Sequence, residues 1–165
     1  MERRRSSHNA RLQRQVDAGR YVLLALTGLT LTNLILVAWK VEYRFLLSAA
    51  VPYYVNWLAL KLGWGMGWTV FLGLLSVLAV AFYGGCWMLS RQQRFLTLAL
   101  MAYGLDTFLL AIFAFTLLDN PSSCVLEIAV HLGVWYLMYM AQQAAGILRR
   151  YRKSGKKPQK ERELV

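Results

Sequence analysis

Long apolar stretches separated by short polar connections are the dominant pattern of this sequence. Four stretches are poor in charged residues and, at about 20 residues each, long enough to cross the hydrocarbon core of a bilayer as helices. The connections RQQR and DNPSS are so short that the stretches on either side must run antiparallel. The pattern predicts an all-α integral membrane protein whose four-helix transmembrane domain occupies residues 21–148, with spans at 21–40, 67–90, 95–118 and 123–148.

A fifth apolar stretch, residues 44–62, is harder to assign. It contains Pro52 and Asn56, and a proline inside a helix breaks or kinks it. A fifth span would also move one of the basic segments of the chain to the opposite side of the membrane, against the charge distribution. We therefore expect a helix on the outer face, either interfacial or re-entrant.

Basic residues are concentrated at the two ends of the chain. Among the 19 Lys and Arg residues, only three are expected on the opposite side: Lys40, the last residue of the first predicted span, and Arg44 and Lys61, between the first and second spans. Because cytoplasmic segments carry an excess of Lys and Arg, both termini are predicted to be cytoplasmic in a multi-pass protein of the cell membrane. The cytoplasmic parts are then a basic N-terminal segment, residues 1–20, and a polybasic tail, residues 149–165, which we expect to be unstructured.

The overall charge changes the expected partner. The formal net charge is +11, yet charged residues make up only 16% of the chain and hydrophobic residues 58%. A soluble domain carries about 25% charged residues. Segregated positive charge beside apolar spans favours the anionic inner leaflet over nucleic acid as the partner. The candidate lipid-binding residues in the tail are Arg149, Arg150, Arg152, Lys153, Lys156 and Lys157.

One carboxylate falls near the middle of a predicted span. Asp106 has no helix end near it that would explain a charge at this depth. Ionisable groups inside membranes are costly and usually face a protein interior or a water-filled cavity, so Asp106 is the leading candidate for binding an ion or substrate. Asn33 lies at a similar depth in the first span and is the expected polar partner. Thr27, Thr30, Ser76 and Tyr136 could extend this polar layer.

Two more ionisable residues lie one turn apart near the start of the fourth span. Glu127 follows a good helix start, Asn-Pro-Ser-Ser, and a negative charge is favoured in the first turns of a helix. His131 lies on the same helix face. An ordinary helix end and the outer part of a proton or cation route are both compatible with this pair.

The depths of these residues can be compared by counting along the third and fourth spans. If Leu118 is level with Cys124, Asp106 is level with Tyr136, which makes Tyr136 a further binding candidate. His131 would then lie about 7.5 Å closer to the outer face than Asp106. A direct contact between Asp106 and His131 is therefore not expected.

No catalytic residue, metal site or cofactor is predicted. The spacing of Glu127 and His131 matches no zinc-protease motif, and a metal would need ligands from other helices. The leading hypothesis is a small transporter or channel-like protein that uses the mid-membrane carboxylate and acts as a homo-oligomer. The alternative is a non-catalytic membrane subunit or assembly factor of a larger complex. An intramembrane enzyme comes third, since Asp106 and His131 are expected at different depths.

Overall fold

The computed structural model describes residues 2–41, 43, 45–63, 65–116 and 125–154, with side chains for all of these except 2–8 and 152–154. Within these ranges the chain forms five helices and no strand. The helices are α1 (Glu2–Ala38), α2 (Ala50–Leu62), α3 (Met66–Leu89), α4 (Gln93–Thr116) and α5 (Val125–Ser154). All but α2 are long and apolar enough to cross a membrane. The prediction of an all-α, multi-pass membrane protein with four spanning helices is confirmed at this level.

Two helices extend beyond the predicted spans. α1 continues without a break through the basic N-terminal segment, and α5 continues to Ser154. The expectation that the tail is unstructured from residue 149 is therefore wrong for residues 149–154. Arginine and lysine are good helix formers, and positive charge is favoured at a helix C-terminus, so the basic sequence prolongs α5. Residues 155–165 lie outside the described part of the chain.

The end of α1 reverses the chain through a Schellman motif. The N–H of Val41 donates to the carbonyl of Leu36 (2.9 Å), and the N–H of Lys40 donates to the carbonyl of Val37 (3.0 Å). Lys40 adopts a left-handed conformation with φ 57°, which is unfavourable for a residue other than glycine. The reversal brings residues 45–49 back alongside α1.

Helix α2 packs inside the bundle, against α1, α3 and α4. Its 13 residues span about 20 Å, less than the roughly 30 Å of a hydrocarbon core. Tyr53 and Tyr54 of α2 belong to a small apolar core that also contains Val37 of α1 and Leu110 of α4. The helix ends at Gly63, whose left-handed φ of 61° lets the chain turn towards α3.

The larger core lies between α1, α3, α4 and α5, with α1 packing most extensively against α5. These two helices cross closely where Gly19 faces Ala141. A Cβ added at Gly19 would lie only 2.2 Å from the Cβ of Ala141, so the crossing depends on the missing side chain. Many large apolar side chains of α3, such as Leu74 and Leu78, are exposed, as expected of a helix that faces lipid.

Candidate functional site

The carboxylate of Asp106 binds the first residues of α2. Its Oδ2 accepts a hydrogen bond from the N–H of Ala50 (2.8 Å), and its Oδ1 accepts one from the N–H of Val51 (2.9 Å). Asp106 is buried and lies about 20 Å along α4 from Gln93. Helix α2 therefore begins beside the middle of α4, and its N-terminal positive dipole faces a carboxylate.

Every N–H group at the start of α2 that lacks an intrahelical partner is accounted for. Ala49, the N-cap residue, has no capping side chain, and its own N–H donates to Oγ1 of Thr30 (2.8 Å). Ala50 and Val51 donate to Asp106, and Pro52 has no N–H to satisfy. Asp106 and Thr30 thus supply from other helices the cap that α2 does not supply itself. Pro52 lies in the first turn, where proline is tolerated, rather than in a helix interior.

Asn33 holds the turn that precedes α2. Its Oδ1 accepts the N–H of Phe45 (2.8 Å), while its Nδ2 donates to the carbonyl of Phe45 (2.9 Å) and to Oγ of Ser48 (2.7 Å). Asn33 and Asp106 therefore bind neighbouring parts of residues 45–51, rather than each other as the depth argument suggested. Both side chains are needed because the backbone of residues 45–49 is not helical and the first N–H groups of α2 have no intrahelical partner, so these polar groups must find partners elsewhere.

His131 lies next to Asp106. Its Nε2 is 3.6 Å from Oδ2 of Asp106, and its ring stacks on that of Tyr103 with the ring centroids 5.2 Å apart. The expectation that Asp106 and His131 are too far apart for a direct contact is wrong. It rested on an assumed register between the third and fourth spans, in which Leu118 is level with Cys124; both residues lie outside the described part of the chain. The actual register brings α5 far enough along α4 to juxtapose the two side chains.

The hydrogen bonds around His131 make its contact with Asp106 sensitive to a proton. The Nδ1 atom lies 2.9 Å from the carbonyl oxygen of Glu127, and since a carbonyl can only accept, Nδ1 carries a hydrogen. Nε2 is buried and has no hydrogen-bond partner among the residues that the structure describes. In the neutral ring its lone pair faces the carboxylate of Asp106, whereas a proton on Nε2 makes the contact attractive. The pair is therefore a candidate site for binding one proton.

Glu127 connects α5 to α2. Its side chain is buried, and its Oε2 accepts a hydrogen bond from the hydroxyl of Tyr54 (2.9 Å). A helix-dipole interaction alone would leave this carboxylate at the surface, so the ordinary helix-end interpretation does not describe it fully. Glu127 and Asp106 both fix α2, at residues one turn apart.

Tyr136 lies outside the Asp106 cluster, which consists of Asp106, His131, Glu127, Asn33 and Thr30. Its side chain is 57% exposed, whereas that of His131 is fully buried. Five residues turn a helix by about 500°, so Tyr136 points about 140° away from His131. The count of depths that suggested Tyr136 ignored this rotation.

The sequence argument missed Tyr54, Tyr103 and the backbone donors of α2. A signal for the donors was present, because Thr30 and Asn33 lie on one face of α1 at the level of Asp106. A proline soon after a run of small residues (Ser48-Ala49-Ala50) is also typical of a helix start.

Two cavities lie away from the Asp106 cluster. One, of about 800 Å³, is lined by Arg20, Arg91, Arg94 and Arg149, among others. The other, of about 640 Å³, is lined by Lys40, Lys61, Tyr53 and Trp57, among others. Neither is lined by Asp106 or His131. Among the described residues, no group of three or more metal-ligating side chains comes together.

The predicted lipid-binding residues are described only in part. The side chains of Arg149 and Arg150 are exposed at the end of α5. The side chains of Arg152 and Lys153, and all of Lys156 and Lys157, lie outside the described part of the chain.

Comparisons of the chain with protein-family models, with curated proteins and with solved structures found no match. The Asp106 cluster, and the start of α2 that it holds, therefore provide the geometry from which a function can be inferred.

Proposed function

We propose that this chain is a small transporter or channel-like protein in which α2 is a re-entrant half-helix anchored by Asp106. The observation that carries the proposal is the pair of hydrogen bonds from Ala50 and Val51 to Asp106 beside the middle of α4. Helices interrupted at mid-membrane, with their ends fixed by polar side chains, are typical of transporters and channels.

The proposed topology follows from charge and length. The basic ends of α1 and α5 favour a cytoplasmic location for both termini in a cell membrane, where the tail would bind anionic lipid. Residues 45–62 would then enter and leave at the outer face. The exposed residues Lys40, before this segment, and Lys61, in the last turn of α2, suit that face, as does the length of α2.

In this proposal a proton controls the anchor of α2. Protons would arrive from the outer face past Glu127 and exchange at His131 and Asp106, which are 3.6 Å apart. Asp106 stabilises the start of α2 best as a carboxylate, because hydrogen bonds from N–H groups to an ionised acceptor are the stronger kind. Moving a proton from His131 to Asp106 would weaken both bonds and free α2 to shift. Copies of the chain in a homo-oligomer could each contain one such unit.

The test is proton flux in liposomes containing the purified full chain. His131→Gln removes the proton-binding nitrogen but leaves the hydrogen bonds between Asp106 and α2 intact. We expect this variant, and Asp106→Asn, to abolish a flux that the unaltered protein shows under a pH gradient. Tyr136→Phe is the matched control, since this exposed side chain lies outside the cluster, and it should leave the flux unchanged. Equal flux in His131→Gln and the control would remove the cluster from the mechanism.

A second candidate, a non-catalytic subunit or assembly factor, is favoured by one face of α5. Ala129 and Gly133 lie one turn apart and are exposed. Small residues at this spacing let another transmembrane helix approach closely. Purification in mild detergent from native membranes should then recover a partner protein. The Gly133→Leu variant should no longer bind this partner, whereas Gly28→Leu, a change on the exposed surface of α1, should still bind it. Recovery of a homo-oligomer alone would favour the first candidate.

A further inference from the structure

The cavity of about 800 Å³ lies at the end of the bundle where α1 and α5 carry their basic residues. Four arginines line it, and they come from separate parts of the chain: Arg20 from α1, Arg91 and Arg94 from the α3–α4 connection and the start of α4, and Arg149 from α5. Its volume falls within the range of small-molecule sites. The fold thus gathers dispersed positive charges around one concave space.

Within the described part of the chain, the side chains around this cavity do not neutralise its positive charge. The lining residues include no Asp or Glu. Asp17 lies close by, but its carboxylate is 3.8 Å from the guanidinium of Arg20, so it offsets at most one of the four charges. Neither Arg91 nor Arg94 forms an ion pair with a carboxylate in the described part of the chain. Like charges brought together in this way favour a bound anion.

The start of α4 adds to the attraction for an anion. Gln92, Gln93 and Arg94 line the cavity, so the N-terminus of a 24-residue helix borders it. The first turn of α4 has no acidic residue. The N–H groups of Gln92 and Phe95 donate to the carbonyls of Leu89 and Gln92, but the positive end of the helix dipole borders the same space as the arginines.

Parts of the cavity wall are fixed in place. The Nε of Arg20 donates a hydrogen bond to Oγ of Ser90 (3.0 Å), and Ser90 is fully buried. The side chain of Gln93 packs directly on Gly146, where an added Cβ would lie 2.9 Å from Nε2 of Gln93. These contacts connect α1, the α3–α4 connection and α5, so the position of Arg20 and the backbone of the cavity wall are set by folding rather than by the ligand.

We infer that this cavity binds a phosphate group. Arginine forks and helix N-termini both match phosphate geometry, and a phosphate monoester or diphosphate carries the multiple charges that four arginines can balance. The group could belong to a lipid headgroup such as that of phosphatidic acid, or to a soluble phosphate. The inference is independent of the proposed transport function, because the cavity does not include the Asp106 cluster.

The experiment uses the full chain with two probes. Inorganic pyrophosphate is titrated onto the protein in detergent, and phosphatidic acid is compared with phosphatidylglycerol, a phosphodiester lipid, in nanodiscs by native mass spectrometry.

The test variant is Arg91→Gln with Arg94→Gln. Both side chains are exposed, and neither takes part in a side-chain hydrogen bond shown by the described residues, so the fold should tolerate the change. The control variant, Arg11→Gln with Arg14→Gln, removes the same charge from exposed sites on α1 that do not line the cavity.

We expect the test variant to bind at least one probe about tenfold or more weakly, and the control variant to bind it as the unaltered chain does. Loss of pyrophosphate binding identifies a soluble phosphate as the ligand. Loss of selective phosphatidic acid binding with no pyrophosphate binding identifies a lipid headgroup. Equal weakening in both variants, or no saturable binding of either probe by the unaltered chain, would overturn the inference.

Discussion

Asp106 caps a helix to which it does not belong: its two carboxylate oxygens accept the N–H groups of Ala50 and Val51 at 2.8 and 2.9 Å. A helix that begins in water can bind solvent at its free N–H groups, but one that begins inside a bundle cannot. The charge at the midpoint of α4 therefore has a structural reason. In the proposed function, its neighbour His131, 3.6 Å away, would also give it a route to proton control. Both roles depend on the same carboxylate.

Loss of the Asp106 carboxylate should destabilise the protein. Asp106→Ala removes two charge-assisted hydrogen bonds and leaves two buried N–H groups unsatisfied, so we expect the free energy of unfolding to fall by about 2–4 kcal/mol. Reversible unfolding in mixed detergent micelles measures this. Thr107→Val is the control, because the Thr107 hydroxyl donates only to the carbonyl of Tyr103 in the same helix. A similar loss in both variants would contradict the capping role.

Two threonines on α1 provide a matched pair for the turn before α2. Thr30→Val keeps the side-chain shape but removes the acceptor of the Ala49 N–H, whereas the exposed Thr32 donates only to the carbonyl of Gly28. We expect Thr30→Val to cost about 1 kcal/mol and to speed hydrogen exchange in residues 45–51. Thr32→Val should change neither quantity. Unaltered exchange in the Thr30 variant would show that this hydrogen bond does not hold the turn.

The sequence was sufficient for the helices and for Asp106. Apolar length and charge placement are properties of each segment alone, so the four spans and the unusual depth of Asp106 could be read directly from them. The partners of Asp106 could not. They are main-chain groups of residues 50–51, and which backbone donors lack a partner depends on where a helix begins in three dimensions.

The predicted depth of His131 relative to Asp106 was wrong for a different reason. Depth counting needs the register between α4 and α5, which the apolar pattern does not encode. A shift of a few residues, at about 1.5 Å each, is enough to bring His131 level with Asp106. The depth count also left out rotation around the helix. This rotation points Tyr136 away from His131 and so places it outside the Asp106 cluster.

The crossing of α1 and α5 gives a prediction about packing. Gly19→Ala would put two Cβ atoms 2.2 Å apart at Ala141, so the helices must separate, and we expect a loss of about 1–3 kcal/mol in the free energy of unfolding. Gly28→Ala lies on the same helix with nothing within 4 Å of the added atom, and it should be neutral or slightly stabilising. Thermal unfolding in detergent compares the two. Equal melting temperatures would mean that α1 and α5 can move apart at no cost.

The proposed re-entrant placement of α2 predicts that Lys40, before this segment, and Lys61, in the last turn of α2, face the same side of the membrane. In a background with Cys86→Ser and Cys124→Ser, single cysteines at the exposed positions Lys40 and Lys61 should react with a membrane-impermeant maleimide added outside intact cells. A cysteine at Arg91, at the other end of α3, should react only after the membrane is permeabilised. Labelling of Lys40→Cys and Lys61→Cys from opposite sides would make α2 a fifth span. Because α3 and α4 are joined by a short connection, that result would also put the two basic ends of the chain on opposite sides of the membrane. The labelling therefore tests both the cytoplasmic location of the two termini and the re-entrant placement of α2.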